Sequence, residues 1–428
     1  MTTTRTQADV MDDVQVKRSW KLPIVYTLAA LLLTFFSFTA KGEVTIRLTD
    51  NAQAFEIPDI VLGGAGILWV LLALVALVAV WSIITTSMRV KSPRWLDILG
   101  MTLAGIGTIL AFLVYAGSGS AGVVTLTSTL VSTVAISTPL IFGALSGVVS
   151  EHVGVVNIAI EGDLLVGAFA GVMAASFFQT PYAGLVAAPL AGALLGSLLA
   201  LFSVRYGVDQ IIVGVVLNVL ALGLPTFFYG TLMKVSPETL NTNRFSLPSL
   251  KIPFLAEIPI IGPMLFNQTV LVYLMYATVV FLAVFLYRSR WGLRLRACGE
   301  HPKAADTVGI HVNRTRSRNT ILASAFAGLG GAFFTIGSGL AFTDNISAGN
   351  GYIALAAMIL GKWHPIGAMS AAVMFGFAQA VARMLPNVAP AIPSDLVSMI
   401  PYVVTIIAVA GFVGKSKAPA AENIPYVK

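Results

Sequence analysis

Five polar residues, Glu151, His152, Asn157, Glu161 and Asp163, interrupt a stretch of chain that is otherwise almost continuously apolar. Such groups are costly to desolvate, and they persist where they line a route for a polar solute or repair a broken backbone. Glu151 and His152 read as headgroup-level residues between two apolar runs. Asn157 and Glu161 are four apart, so on a helix they share one face. There they could line a path or satisfy freed N–H and C=O groups. Gln210 and Asn218 are eight apart with Gly214 between them, and they also share a face. They suit either interhelical hydrogen bonds or an amide-bearing wall for hydroxyls and bases. Phe342 and Tyr352 flank a break on the outer side, where each could stack on a planar ring or serve as interfacial packing. No catalytic residue is expected, because no carboxylate pair or activated nucleophile has usable spacing. The four histidines stand at no ligand spacing and Cys298 is alone, so neither a metal site nor a disulfide nor any cofactor is expected. Gly414-Lys415-Ser416 looks like the end of a phosphate-binding loop, but Val409 stands where that loop needs glycine.

The elements that hold these residues follow from composition. Of 428 residues, 57% are hydrophobic and 11% are charged, against about 25% charged in soluble domains. A water-facing surface cannot be built from so few charges, so a soluble enzyme and a disordered scaffold are both excluded. A helix needs ~20 apolar residues to cross ~30 Å of hydrocarbon. Apolar runs fall near 22–40, 61–88, 96–117, 121–149, 157–178, 182–204, 208–230, 269–287, 319–341, 351–361, 365–384 and 395–414. The run at 351–361 is too short to span unaided. An N-terminal tail at 1–20 and a C-terminal tail at 415–428 read as polar and mobile.

Charge placement orients the chain. With both termini inside and every run crossing, inner segments hold 20 of the 26 Lys and Arg residues, as the positive-inside rule requires. The net charge of +7 is therefore a topology signal rather than a nucleic-acid footprint. A loop at 41–60 is acidic, with Glu43, Asp50, Glu56 and Asp59, and 231–268 is a proline-rich ordered loop. Lys362 and Trp363 read as interface anchors at a tight turn. Short similarity between GVVNIAIEG (154–162) and GNGYIALAA (349–357), each beside an interrupted run, points to an internal repeat around a midplane site.

The segment 288–318 carries eight basic residues. Within it, Pro302, Ala304 and Ala305 favour a short helix, and Gly299 and Gly309 bracket it as turn and stop. The pattern Gly292…Arg296-Ala297…Gly299-Glu300…Ala304-Ala305…Gly309-Ile310 resembles the coupling segment of permease subunits in bacterial ATP-binding-cassette (ABC) importers. Lys303 stands where that segment often has an acidic residue. SGVVSEHVGVVNIAIEGDLLVGAF (146–169), DQIIVGVVLNVLALGL (209–224), GPMLFNQTVLVYL (262–274) and IALAAMILGKWHPIGA (353–368) are similar to the simple-sugar and nucleoside branch, related to branched-chain amino-acid permeases. His152 and Ala159 depart from it, where the branch usually has Arg and Gly. The resemblance covers about 120–414.

The expectation is an all-α polytopic helix bundle of about 10–12 spans, with an internal inverted repeat and broken or re-entrant helices. It divides into N-terminal spans (21–117), a permease core (118–414) with its coupling loop (288–318), and the tails. The resemblance implies a permease subunit of an ABC importer in the bacterial cytoplasmic membrane, translocating a nucleoside or a simple sugar. ATP hydrolysis would then lie in a separate ATPase subunit, contacted through Arg296, Gly299, Glu300, Ala304, Ala305 and Gly309. A second permease subunit, an external binding protein and membrane lipid are the other implied partners. The rival is an ion-gradient-driven transporter using Glu161 and Asp209 as ion sites.

Overall fold

In hydrocarbon a backbone must bond to itself, so long apolar runs become helices. The computed structural model describes residues 20–49, 57–89, 92–120, 122–389, 393–412 and 417–427. Residues 1–19, Asp50, Glu56 and the Gly414-Lys415-Ser416 triplet lie outside the described residues. Nine helices among the described residues are long and apolar enough to cross a membrane, and strands are few and short. The all-α reading therefore holds.

The chain divides into two units, one of residues 1–127 with 384–397 and one of 128–383 with 398–428. The first contains α1 (Lys21–Thr39), α2 (Gly64–Ser87) and α3 (Arg94–Gly117). A small sheet that the hydropathy pattern did not announce joins them, with β1 (Glu43–Arg47) between antiparallel β2 (Ile60–Gly63) and parallel β3 (Val123–Thr125). Phe36 of α1 stacks on Tyr115 of α3 with centroids 4.3 Å apart. Beside the sheet, Arg47 makes a two-pronged bond to the Asp59 carboxylate at 2.9 and 2.7 Å.

The remaining helices are α4 (Leu126–His152), α5 (Ile160–Phe177), α6 (Pro181–Ala200), α7 (Gln210–Phe228), α8 (Pro237–Leu240), α9 (Val270–Arg288), α10 (Arg290–Glu300), α11 (Pro302–Thr307), α12 (Val312–Gly331), α13 (Asn350–Leu360), α14 (Pro365–Val388) and α15 (Ser394–Phe412), which belong to the second unit except for the start of α4, the end of α14 and the start of α15. Strands β4 (Ser249–Lys251) and β5 (Asn267–Thr269) pair across the proline-rich segment, which is ordered. In α4, Thr133, Ser137 and Thr138 turn their hydroxyls back onto the i−4 carbonyls, so they cost little in an apolar setting. Helices α5, α6 and α12 pack closely, and a methyl on Gly192 or Gly328 would strike the backbone of the facing helix. Small residues at such contacts are the usual means of close helix approach in lipid.

Several expected runs are cut differently. The run at 319–341 does not form one crossing. Helix α12 starts earlier, at Val312 ahead of a polar stretch, and ends at Gly331 before a single tight turn at Ala332–Phe334. Helix α13 has 11 residues, about 16 Å of rise, and so reaches only half-way. Trp363 is not an interface anchor, because it is buried and donates its indole N–H to Glu151. Glu151 is itself buried.

The C-terminal segment is likewise not loose where it is described, at 417–427. Ala421 donates its N–H to Gly299 O at 2.8 Å, and Asn423 reaches Asp209 at 3.4 Å. Arg316, 1% exposed, donates to the carbonyls of Ile424 (2.7 Å), Ala421 (3.2 Å) and Cys298 (3.4 Å). Polar composition suggested mobility, but a buried guanidinium must have acceptors, and the tail supplies two of them.

Burial pushes the Glu422 carboxyl above its ordinary value, partly offset by a hydrogen bond with Glu151. A raised acid favours the docked form when it is protonated. Docking is therefore strongest below the ordinary carboxylate range and weakens as pH rises through the raised value. Hydrogen exchange at 417–427 is expected to speed up with rising pH beyond its intrinsic chemistry. Glu422→Gln is expected to flatten that excess.

Candidate functional site

The chain between α4 and α5, residues 153–159, leaves the helical path, so its backbone groups need partners away from water. Side chains from other helices supply them. Gln210, 1% exposed at the first position of α7, accepts the Val156 N–H at 2.7 Å and donates to Gly154 O at 3.5 Å. Two turns further along the same face, Asn218 accepts the Gly162 N–H at 2.8 Å and donates to Ile158 O at 2.9 Å. Gly214 between them lets α7 lie against Ile158 and Ala159. Asn157 is fully buried; it accepts the Ala159 N–H at 3.0 Å and points its amide at Ser146 and Asp163.

Asn157 and Glu161 do not share a helix face, since α5 begins only at Ile160. Glu161 turns instead toward the second break. Its carboxylate accepts the Ser347 hydroxyl at 2.6 Å and the N–H groups of Gly349 at 2.8 Å and Gly351 at 2.6 Å. These N–H groups belong to the start of the half-length α13, where the helix dipole favours an anion. A side chain of α5 thus fills the anion position of α13, and the two interrupted segments are joined. Next to it, Asn350 donates to Ser347 O and accepts from Gln379 of α14, both at 2.8 Å.

The two aromatic candidates part company. Tyr352 is 52% exposed and its hydroxyl lies 3.4 Å from the Asn218 amide. Phe342 is 1% exposed, not outward-facing. Its ring meets Phe169 and Tyr229 edge-on, and Asn241 bonds both its N–H and its C=O. Burial of so large a ring outweighs any interfacial preference, so no face is left for a ligand.

A cleft of about 190 Å³ opens beside the α13 start, lined by Asn350, Gln379, Arg383 and Tyr402 among others. Arg383, Gln379 and Tyr402 are not among the candidates that sequence reasoning singled out. The missed signal was spacing, because Gln379 and Arg383 are four apart on α14 and face the same way.

The basic segment folds as α10, α11 and the first turns of α12. Gly309 is the stop the spacing requires, with φ +85° and its N–H on Asp306 O at 2.9 Å. Gly299 is not a turn. It lies in the last turn of α10, pressed on the His152 carbonyl at the end of α4, and a Cβ there would collide. The turn falls at His301, whose non-helical backbone separates α10 from α11. Ala305 is buried, Ala304 and Lys303 are exposed, and Val308 is 75% exposed. Arg296 sits over the Tyr287 ring at 5.2 Å, and Glu300 accepts the Ala420 N–H at 3.4 Å.

Residues 129–409 match the family described as branched-chain amino acid transport system / permease component. The chain is 39% identical over 309 residues to the guanosine ABC transporter permease protein NupQ of Bacillus subtilis, covering 69% of this chain and 95% of that one. It is 39% identical over 302 residues to the nucleoside ABC transporter permease protein NupC of Lactococcus lactis, covering 68% and 94%. A putative glucose ABC transporter permease of Haloferax volcanii is 30% identical over 250 residues, covering 58% and 75%. No solved structure matches.

Proposed function

The chain belongs to the branched-chain amino acid transport system / permease component family, and from that premise we propose that it passes a nucleoside through an ATP-driven importer. The observation that carries the substrate is identity of 39% along almost the full length of guanosine and nucleoside permeases, against 30% over a shorter stretch for a glucose permease. A simple sugar is the second reading, and it rests on that lower similarity.

In this reading Asn157, Glu161 and Gln210 support the path rather than line it, since their polar atoms are engaged with the chain's own broken segments. Asn218 and Tyr352 border it. The Asn350, Gln379, Arg383 and Tyr402 cleft offers amides, a guanidinium and an aromatic ring, the groups a base and a ribose can use. The pathway is completed by a second permease subunit, and a binding protein delivers the ligand from outside. Competition separates the two substrate readings: unlabelled guanosine should suppress uptake of labelled adenosine by the assembled transporter, and ribose or glucose should not.

An ion-gradient mechanism through Glu161 and Asp209 finds little support in the geometry. Glu161 is held by three donors. Asp209 caps α7 from an exposed position, and its bonds to the Ile212 and Ile211 N–H groups hold its carboxyl below the usual range.

The ATPase contact is assigned to the exposed side of α11 and the residues after it, on the cytoplasmic face. Substitutions at Gly299 or Ala305 would damage packing as well as contact, so Val308 is the sharper probe. Val308→Glu puts a charge on an exposed apolar side chain without touching the core. It is expected to lower ATPase co-purification about ten-fold, ~1.4 kcal/mol, while the melting temperature stays at the parent value.

A further inference from the structure

A cleft of about 910 Å³ lies between α10 and α12; its walls carry Arg290, Arg294, Arg314 and Arg318, and its lining extends to Val308 and Gly309, next to the proposed ATPase contact. All four guanidinium-bearing residues are exposed, and no acidic residue lines the cleft. The two acids of this segment are occupied on the tail side: Glu300 takes the Ala420 N–H, and Asp306 is hydrogen-bonded by Tyr426. The positive charge in the cleft is therefore left without a counterpart from its own segment.

The walls change character along α12. Arg314, Arg318 and Leu322 are spaced four apart on one face, and Leu322 is exposed. At the back, Trp291 donates its indole N–H to Asn319 at 2.8 Å, tying α10 to α12. The cleft begins where α9, a membrane-spanning candidate, ends at Arg288. A guanidinium cluster that gives way to an apolar face beside a span end has the profile of a phospholipid, with anionic headgroup first and acyl chain next.

We propose that this cleft seats the phosphodiester headgroup of an anionic phospholipid, with one acyl chain along Leu322. The proposal rests only on the chain's membrane location and not on its substrate. An acidic surface of the ATPase is the competing occupant, but an exposed apolar face next to the arginines matches lipid better than a charged protein surface.

Full-length protein purified in detergent and stripped of lipid is titrated with phosphatidylglycerol, phosphatidylcholine or inorganic phosphate, and bound adducts are counted by native mass spectrometry. Phosphatidylglycerol is expected to bind well above phosphatidylcholine. Each of Arg294→Gln and Arg318→Gln should weaken it about five-fold. Lysine at both positions should restore most of the binding, and Arg288→Gln, outside the cleft, should leave it unchanged. Three results would overturn the proposal: equal binding by the glutamine variants, phosphate binding as tight as the lipid, or phosphatidylcholine binding as tight as phosphatidylglycerol. The lysine variants guard against misfolding as an explanation for lost binding.

Discussion

Glu161→Ala is expected to lower the stability of the purified protein by about 3–5 kcal/mol and to abolish transport. The carboxylate accepts two backbone N–H groups and one hydroxyl at the start of α13. Hydrogen bonds to a charged acceptor contribute about 1.5–3 kcal/mol each, and an unmet buried donor costs about 1–3 kcal/mol. Alanine removes the acceptor from both N–H groups at once, in a pocket where Glu161 is only 9% exposed. It also leaves the positive end of the α13 dipole without its anion. Glu161→Gln keeps the volume and one acceptor oxygen, so its loss should be about half as large. Thermal unfolding in detergent measures the first effect and uptake the second. A Glu161→Ala protein that melts like the parent would remove the link between the two breaks from the account.

Gly299→Val is expected to have the next largest effect. The last turn of α10 rests directly on the His152 carbonyl, and the Gly299 C=O itself accepts the Ala421 N–H. A side chain at 299 can gain space only if α10 moves away from the end of α4, because what it meets is backbone. Overpacking of this kind costs about 1–3 kcal/mol. Here the displaced helix also carries α11 and the tail contact. Stability should fall by about 3 kcal/mol, and ATPase co-purification should fall further than in Val308→Glu, which perturbs contact alone. Comparing the two variants separates the position of the segment from its surface.

The helices were legible because hydrocarbon allows the backbone few alternatives. Most of the long apolar runs and the Gly309 stop follow directly from the residues, whereas the run at 319–341 is cut differently. Partner choice was less legible. That Asn157, Gln210 and Asn218 were exceptional could be read from an apolar context, but their spending their amides on residues 154–162 depends on how α7 crosses the break. Spacing put Asn157 and Glu161 on one face, and this failed because the helix starts between them. Phe342 and Trp363 look interfacial in sequence, where aromatic type is visible and burial is not. The tail at 417–427 resembles disordered chain in composition, which does not show its bonds to the buried Arg316, to Gly299 and to Glu300. The small sheet beside α1 was missed for a related reason: a few short extended residues between spans leave no hydropathy period.

The central claim is tested most directly by uptake into proteoliposomes holding the permease with its ATPase and binding protein. The account predicts ATP-dependent accumulation of labelled guanosine that persists when an uncoupler collapses the ion gradient. Accumulation without ATP that vanishes with the uncoupler, or accumulation of ribose or glucose with no nucleoside transport, would contradict it.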